Sequence, residues 1–212
     1  MVLNDKVREQ VKQKFGSLRN DVKLIVFTQE IECDYCSDTR SMAEELARLS
    51  DRIQVEVYDF QKDSGQVKKY GIDKIPAMVI EGKKDYGIRF YGVPGGYEFS
   101  SLLESVLLVS AGEADISDDT MDFLGSLSQE LHFQVFVTPT CPYCPRAVIL
   151  AHNLAVASDK VRSDMVEVSE FMPLAMKYQV QGVPRTVINE TIIVEGALPE
   201  QMLIEKLRSE LK

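Results

Sequence analysis

Two Cys-x-x-Cys motifs lie 108 positions apart in this chain of 212 residues, and together they use all four of its cysteines. The first motif spans Cys33–Cys36 (CDYC) and the second spans Cys141–Cys144 (CPYC). Each is followed at the same distance by a branched aliphatic residue and a proline, Ile75-Pro76 in the first case and Val183-Pro184 in the second. A dithiol and a proline that keep one offset indicate two copies of one unit.

An internal duplication surrounds these motifs. Shifting the sequence by 108 positions aligns residues 33–80 with residues 141–188 without a gap, and 13 of the 48 aligned positions are identical. A short acidic stretch, AGEADISDD, separates the two copies. We therefore predict two tandem units of about 100 residues, each large enough for its own core. Residues 1–112 hold the CDYC motif and residues 113–212 hold the CPYC motif.

The hydrophobic pattern predicts the same order of elements in each unit: helix, strand ending at the dithiol, helix, strand, short helix, hairpin and closing helix. In the first unit these are predicted at residues 3–18, 22–28, 35–49, 53–60, 62–70, 77–80 with 87–91, and 97–110. In the second they are predicted at residues 118–130, 132–138, 144–157, 163–168, 171–178, 185–188 with 191–195, and 199–211. This order predicts an α/β fold, with a mixed central β-sheet flanked by helices in each unit.

Composition restricts the functional classes. The net charge of −9 argues against a nucleic-acid partner, which would require clustered Lys and Arg. The apolar runs are far shorter than the ~20 residues of a membrane helix, and the charged N-terminus (MVLNDKVREQ) does not resemble a signal peptide. We therefore expect a cytoplasmic protein without a membrane partner. Because the cytosol keeps most thiols reduced, four cysteines there indicate catalytic or metal-binding use.

The arrangement of the motifs resembles a known family. A dithiol at a strand-to-helix junction, with a proline at the start of a later hairpin strand, resembles the thioredoxin fold, and CPYC is the glutaredoxin form of the motif. Two such units in tandem, together with the segment DYGIRFYGVP at residues 85–94, resemble the glutaredoxin-like protein disulfide oxidoreductases of hyperthermophilic archaea and bacteria. The resemblance covers nearly the whole chain.

This resemblance implies a thiol–disulfide oxidoreductase that reduces and oxidises protein disulfides, and that could also isomerise them. It implies redox-active disulfides as the sole redox groups, with no cofactor. The implied partners are protein dithiols and disulfides, and a thioredoxin-reductase-like flavoprotein that supplies electrons.

The chemistry of exchange assigns a role to each cysteine. A thiolate must attack a disulfide, and a helix N-terminus stabilises the thiolate through its unpaired N–H groups and its dipole. The first cysteine of each motif precedes the helix and is expected to be exposed, so Cys33 and Cys141 are the predicted nucleophiles. Cys36 and Cys144 lie one turn into the helix and are predicted to resolve the mixed disulfide.

The two prolines are assigned by resemblance. It implies that Pro76 and Pro184 follow cis peptide bonds, and that Ile75 and Val183 offer backbone hydrogen bonds to an extended substrate. The alternative is a pair of trans prolines that simply begin strands.

Five further residues are auxiliary candidates. Tyr35 and Tyr143 lie inside the motifs and are expected to flank the sulfurs. Arg146 follows the second motif as a nearby positive charge. Asp59 and Glu167 end matching strands, where each is either a buried proton carrier for the resolving cysteine or an exposed strand-end acid.

The two sites are expected to differ electrostatically. Residues 29–40 contain four acids and one arginine, whereas residues 137–148 contain one arginine and no acid. Because exposed charges farther than ~10 Å are screened, local charge should dominate. We predict a lower thiolate pKa at Cys141 than at Cys33, and a less reducing disulfide at the second site. The alternative is that the acids form a solvated rim without redox effect.

Other functional classes stay open. A zinc site would normally bring its cysteine pairs within ~15–20 residues of each other, whereas these pairs lie in separate units, so we expect no metal. A cluster bound across a glutaredoxin-type dimer is a further alternative. Gly95-Gly96 resembles part of a glutathione clamp but lies in the first unit, away from CPYC, which favours protein substrates.

Two alternatives concern the function of the tandem fold itself. One is an electron-relay domain that serves a peroxide-reducing flavoenzyme; in that class one unit usually lacks its dithiol, whereas both are intact here. The other is a binding module with redox-linked chaperone activity.

Overall fold

The computed structural model describes residues 3–211. The helices are α1 (Asp5–Phe15), α2 (Cys36–Ala47), α3 (Ser64–Tyr70), α4 (Glu98–Ala111), α5 (Asp118–Gly125), α6 (Cys144–Ala157), α7 (Met172–Lys177) and α8 (Glu200–Glu210). The strands are β1 (Val22–Thr28), β2 (Ile53–Asp59), β3 (Ala77–Glu81), β4 (Asp85–Tyr91), β5 (Leu131–Val137), β6 (Val161–Glu167), β7 (Arg185–Ile188) and β8 (Ile192–Glu195). Each motif therefore lies at a strand-to-helix junction, between β1 and α2 or between β5 and α6.

These strands form one continuous sheet in the order β2-β1-β3-β4-β6-β5-β7-β8. The two halves of the chain meet where β4 pairs in parallel with β6, from Ile88 opposite Ser163 to Tyr91 opposite Val166. Because the pairing is continuous across this junction, the two halves share one sheet rather than lying as separate bodies. The predicted α/β fold, a mixed sheet flanked by helices, is confirmed.

Strand direction brings the two motifs to the same edge of the sheet. β1 runs parallel to β2 and antiparallel to β3, and β4 reverses β3, so that β1 and β4 run in the same direction. β4 and β5 are both parallel to β6. β1 and β5 consequently end at one edge, four strand spacings apart, or roughly 19 Å at about 4.8 Å per spacing.

The two faces of the sheet carry different numbers of helices. A large core, which includes Leu24, Leu102 and Leu154, lies under α1, α2, α4, α5, α6 and α8. A smaller core, with Phe27 and Phe136, lies under α3 and α7 on the opposite face. Since α2 and α6 cover the same face, both dithiols also lie on that face.

The element boundaries agree with the sequence prediction to within three residues, except at the end of α5. α5 ends at Gly125 rather than at residue 130, because Ser126 closes the helix with its N–H on Asp122 O and its Oγ on Phe123 O. β6 begins at Val161 rather than at residue 163, because its pairing with β5 already starts at Leu131. Neither difference moves the second motif, which lies between β5 and α6 as predicted.

The segment between α4 and α5 contains the predicted unit boundary, and Gly112 ends α4 there with a left-handed φ of 69°. The division into two separate domains stays a prediction, and residues 1, 2 and 212 of those units lie outside the described residues. Within residues 3–211, no helix has both the length and the apolar character required to cross a membrane.

Candidate active site

Both cysteine pairs are disulfide-bonded, with Cα–Cα separations of 5.5 Å. In each pair the second cysteine is the first residue of a helix, Cys36 in α2 and Cys144 in α6. The first cysteine precedes the helix, so each disulfide lies at the helix N-terminus, where the N–H groups of the first turn have no partner within the helix. This is an arrangement that stabilises a thiolate once the disulfide is reduced.

The first dithiol opens into a charged cleft. Cys33 is partly exposed and Cys36 is buried, and the N–H of Gln29 points at Cys36 Sγ from 3.4 Å. A cleft of about 590 Å³ adjoins both cysteines, and Arg40 and Asp59 are among its other lining residues. Substrate groups can therefore approach this dithiol through solvent.

The second dithiol is more enclosed. Cys144 is fully buried and Cys141 is only 7% exposed, so the prediction of an exposed first cysteine is wrong for this site. Cys144 donates its backbone N–H to Cys141 Sγ at 3.1 Å, and the carbonyl oxygen of Val183 lies 3.7 Å from the same sulfur. Cys141 is thus nearly removed from solvent, with these backbone groups around its sulfur.

The peptide bonds before Pro76 and Pro184 are both cis, as the resemblance implies. Each proline carbonyl accepts a backbone hydrogen bond from the glycine that follows the hairpin, Gly92 at 3.0 Å and Gly196 at 2.8 Å. The matching contacts indicate that the duplication preserved the whole proline loop. The roles of Ile75 and Val183 in binding substrate stay predictions.

A loop of the first half, Gly92–Tyr97, contacts the second site. Tyr97 donates its N–H to Pro139 O at 2.9 Å, and Pro139 lies two residues before Cys141. Gly96 has a φ of 57°, and a Cβ at this position would lie 2.1 Å from Pro139 O, so only glycine fits. The second site is thus built from both halves of the chain.

The sequence analysis missed a buried acid that follows this loop. Glu98, the first residue of α4, is 1% exposed, and burial raises its pKa to about 7 even though Ser101 Oγ donates a 2.6 Å hydrogen bond to its Oε2. Within the described residues, the Oε1 of Glu98 has no hydrogen-bond partner. A carboxyl group in this state can take up and release a proton near neutral pH.

Helix packing places Glu98 and the second dithiol at the same end of two neighbouring helices. α4 and α6 both start at the sheet edge where the two motifs lie. They pack together, with Ser105 Oγ 2.7 Å from His152 Nδ1. Two helical turns back from this contact, at about 3.6 residues per turn, lie Glu98 on α4 and Cys144 on α6. The two residues therefore occupy the same level of adjoining helices.

One signal in the sequence could have revealed Glu98. It lies four residues before Leu102 and eight before Val106, both fully buried, and so falls on the apolar stripe of α4. An acid on such a stripe is buried at a cost and is therefore a functional candidate.

The two strand-end acids have different surroundings. Asp59 is partly exposed, and hydrogen bonds from the backbone N–H groups of Lys62 and Gln61 lower its pKa. Glu167 is buried, and its Oε2 accepts hydrogen bonds from Ser169 Oγ at 2.6 Å and from Glu170 N at 2.8 Å. Asp59 thus faces the first cleft, whereas Glu167 shapes the β6–α7 loop.

The remaining candidates lie on the protein surface around the two motifs. Tyr35 is 44% exposed and Tyr143 is 64% exposed, and Arg146 is also exposed. The acids Glu30 and Asp34 are exposed around the first motif. Among residues 3–211, no group of three or more His, Cys, Asp or Glu side chains is arranged to hold a metal ion.

Comparison with known proteins places this geometry in context. A family model described as "Thioredoxin domain" matches residues 22–104 and residues 131–209, one range in each half. A protein disulfide oxidoreductase from Aeropyrum pernix is 27% identical in sequence and superimposes with a TM-score of 0.92, covering 100% of this chain and 96% of that one. The NTD_N/C domain of alkyl hydroperoxide reductase AhpF from Enterococcus faecalis is 25% identical, with a TM-score of 0.89 and coverages of 97% and 100%.

Curated relatives are longer than this chain. An NADH dehydrogenase from Bacillus subtilis is 24% identical over 209 residues, which are 99% of this chain and 38% of the relative. An alkyl hydroperoxide reductase protein from Xanthomonas campestris is 24% identical over 166 residues, which are 78% of this chain and 30% of that protein. The chain thus spans well under half the length of these relatives.

Proposed function

Because the chain belongs to the thioredoxin domain family, we propose that it exchanges disulfides with protein substrates at two separate dithiol sites. It is a thioredoxin-like oxidoreductase with two CxxC disulfides, and the proposal concerns its substrates and the roles of its residues. The observation that supports the proposal best is the repeated geometry: a disulfide at a helix N-terminus beside a cis-proline loop, in both halves.

The proposed reduction of a substrate has two steps. The thiolate of Cys33 or Cys141 attacks a substrate disulfide, a bond forms between the two sulfurs, and one substrate sulfur leaves as a thiolate that takes up a proton. The thiolate of Cys36 or Cys144 then attacks the first cysteine and releases the second substrate sulfur. The substrate gains two electrons and two protons, and the chain ends as the disulfide.

The assignment of the nucleophiles rests on access. In each pair the first cysteine is more exposed than the second, although Cys141 is nearly covered. A substrate that adds its backbone beside Ile75 or Val183 would align its sulfur with the nearby cysteine. Val183 O already lies 3.7 Å from Cys141 Sγ, which fits this alignment.

Proton transfer differs between the sites in this proposal. Cys144 must lose its thiol proton before it can attack, and Glu98, with a pKa of about 7, is suited to accept it at neutral pH. At the first site Asp59 has a lowered pKa and faces a solvent cleft, so water in the cleft can carry the proton. Glu167 therefore has a structural rather than a proton-carrying role.

A flavoprotein of the thioredoxin-reductase type is the proposed source of electrons. The similarity to parts of two longer proteins, named as an NADH dehydrogenase and an alkyl hydroperoxide reductase, favours a second candidate function. In it the chain relays electrons from such a flavoprotein to a peroxide-reducing enzyme. Isomerisation of protein disulfides is a further proposed activity, since two reducible sites on one edge can each attack and leave a client repeatedly.

Paired cysteine variants test the proposed function. Cys33→Ser with Cys36→Ser leaves only the second site, and Cys141→Ser with Cys144→Ser leaves only the first. Reduction of insulin and refolding of scrambled ribonuclease are measured on each. We expect the second-site knockout to lose most of the activity and the four-serine chain to lose all of it. Unchanged activity in the four-serine chain would contradict the proposal and favour a binding module.

A further inference from the structure

The junction between the two halves contains a carboxylate that accepts a hydrogen bond from a loop at the second site. Glu170 lies in the loop between β6 and α7, and its Oε1 accepts the backbone N–H of Val93 at 2.7 Å, across 77 positions of the chain. Val93 belongs to the loop Gly92–Tyr97 that contacts the second site. Burial raises the pKa of Glu170 to about 7, so the group is charged at pH 8. A hydrogen bond from a neutral donor to a charged acceptor is among the stronger ones in proteins.

Local backbone geometry holds Glu170 in place. Glu167 Oε2 accepts both the N–H of Glu170 and the hydroxyl of Ser169, which fixes the turn that presents Glu170. On the facing side, Gly92 has a φ of 88°, and a Cβ there would lie 2.7 Å from Glu167 Cβ and 3.0 Å from Glu170 Cδ. The carboxylate thus packs directly on the glycine backbone, and any side chain at that position would displace it.

The loop is hydrogen-bonded to the second half of the chain at two points. Its start is held by Glu170 through Val93 N, and its end is held by Pro139 O through Tyr97 N. Glu98 follows directly after Tyr97, which donates the second of these hydrogen bonds. A loop fixed at both ends has little freedom, so the position of Glu98 at the start of α4 depends on both contacts.

We propose that Glu170 is a positioning residue for the second dithiol: its carboxylate fixes the loop Gly92–Tyr97, which covers Cys141 and carries Glu98 into the second site. This inference rests on the proposed function insofar as Glu98 serves thiol chemistry. The position that matches Glu170 in the first half is Lys62, which instead pairs with Asp59 at 3.2 Å. The first site therefore has no equivalent of this device among the described contacts.

The test compares Glu170→Ala, Glu170→Gln and, as the matched control in the first half, Lys62→Ala, all at pH 8. Amide hydrogen exchange of the loop and iodoacetamide alkylation of Cys33 and Cys141 are followed by mass spectrometry in the same reduced chain. Loss of a hydrogen bond to a charged acceptor should raise loop exchange and Cys141 alkylation about tenfold in Glu170→Ala. Gln keeps an acceptor oxygen but loses the charge, so Glu170→Gln should give a smaller rise than Glu170→Ala at the same sites.

Cys33 serves as the internal reference for the Glu170 variants, and Lys62→Ala, which changes the cleft of the first site, should leave alkylation of Cys141 unchanged. A selective rise at Cys141 supports the positioning role, whereas an unchanged Cys141, or an equal rise at Cys33, overturns it. If Glu170→Ala fails to fold, Glu170→Gln provides the second test, because it keeps the size of the side chain and removes the charge that strengthens the bond to Val93 N. It must give a selective rise at Cys141; equal rates at both cysteines overturn the proposal. Hydrogen exchange and alkylation do not require turnover, so their result is independent of whether the proposed function is correct.

Discussion

The first dithiol opens into a cleft of about 590 Å³ with charged walls, whereas the second is nearly buried and has a loop from the other half of the chain bonded to Pro139, two residues before Cys141. Both sites have the same Cα–Cα separation, the same helix start and the same cis-proline loop. The covalent and local features that define exchange chemistry are therefore duplicated. What differs is contributed by tertiary contacts and by the charges nearby.

This difference arises from the order of the strands. The last strand of the first half, β4, pairs with β6 of the second half, so the loop after β4 ends beside the motif that follows β5. At the other end of the sheet, β8 is an outer strand, and the loop after it has no third unit to contact within the described chain. A tandem duplication that joins its sheets edge to edge thus makes its two sites unequal.

The largest expected effect is on turnover at the second site. In Glu98→Gln the proton acceptor beside Cys144 is lost, and general-base contributions of this kind are typically worth about 100-fold or more. The rate is measured in the chain that retains only the second dithiol. Glu200→Gln is the matched control, because Glu200 begins α8 as Glu98 begins α4. An equal loss in the control, or no loss in Glu98→Gln, would break the comparison.

Glu98→Gln should lower turnover but raise the free energy of unfolding at high pH. The folded chain keeps Glu98 protonated up to about pH 7, whereas an unfolded chain releases that proton near 4.5. Stability is therefore lost as pH rises between these values, by an amount of about 3 kcal/mol at most. Glu98→Gln should be more stable than the wild type at pH 8 and similar at pH 4. Denaturant unfolding at both pH values checks this, and lower stability at pH 8 would count against a buried, strained acid.

Exchanging one residue between the motifs should have a smaller effect. Asp34→Pro gives the first site the CPYC sequence, and Pro142→Asp gives the second site CDYC. One exposed charge near the sulfur is worth about 0.6 kcal/mol, so each thiolate pKa should move by about half a unit, downward for Cys33 and upward for Cys141. Alkylation rate against pH measures both. If neither pKa moves, the acids are only a solvated rim.

The fold and the dithiols could be predicted from the sequence because their signals are local or repeated. Cys33, Cys141 and the two prolines keep one offset, and the strands before the motifs are rich in apolar residues. The burial of Cys141 could not be predicted in this way, since it depends on which strand of one half pairs with the other. Glu98 carried a readable signal, an acid on an apolar helical stripe, but its proximity to Cys144 required the packing of α4 on α6.

Glu170 shows the limit of reasoning from the duplication. Its partner position holds Lys62, so the comparison of the two halves gives no reason to single it out. Its contact with Val93 exists only at the junction of the two units, which has no internal copy. Residues at such a junction can be identified from the structure only, because the internal repeat predicts the features that the two units share.

The central claim is that the two dithiols are chemically unequal, with the second more strongly activated. The most direct measurement is the pH dependence of iodoacetamide alkylation at Cys33 and Cys141, resolved by mass spectrometry in one reduced wild-type chain. The absence of acids from residues 137–148 and the N–H of Cys144 at Cys141 Sγ predict a lower midpoint for Cys141, by about one pH unit or about 1.4 kcal/mol. Equal midpoints, or a lower midpoint for Cys33, would contradict the account.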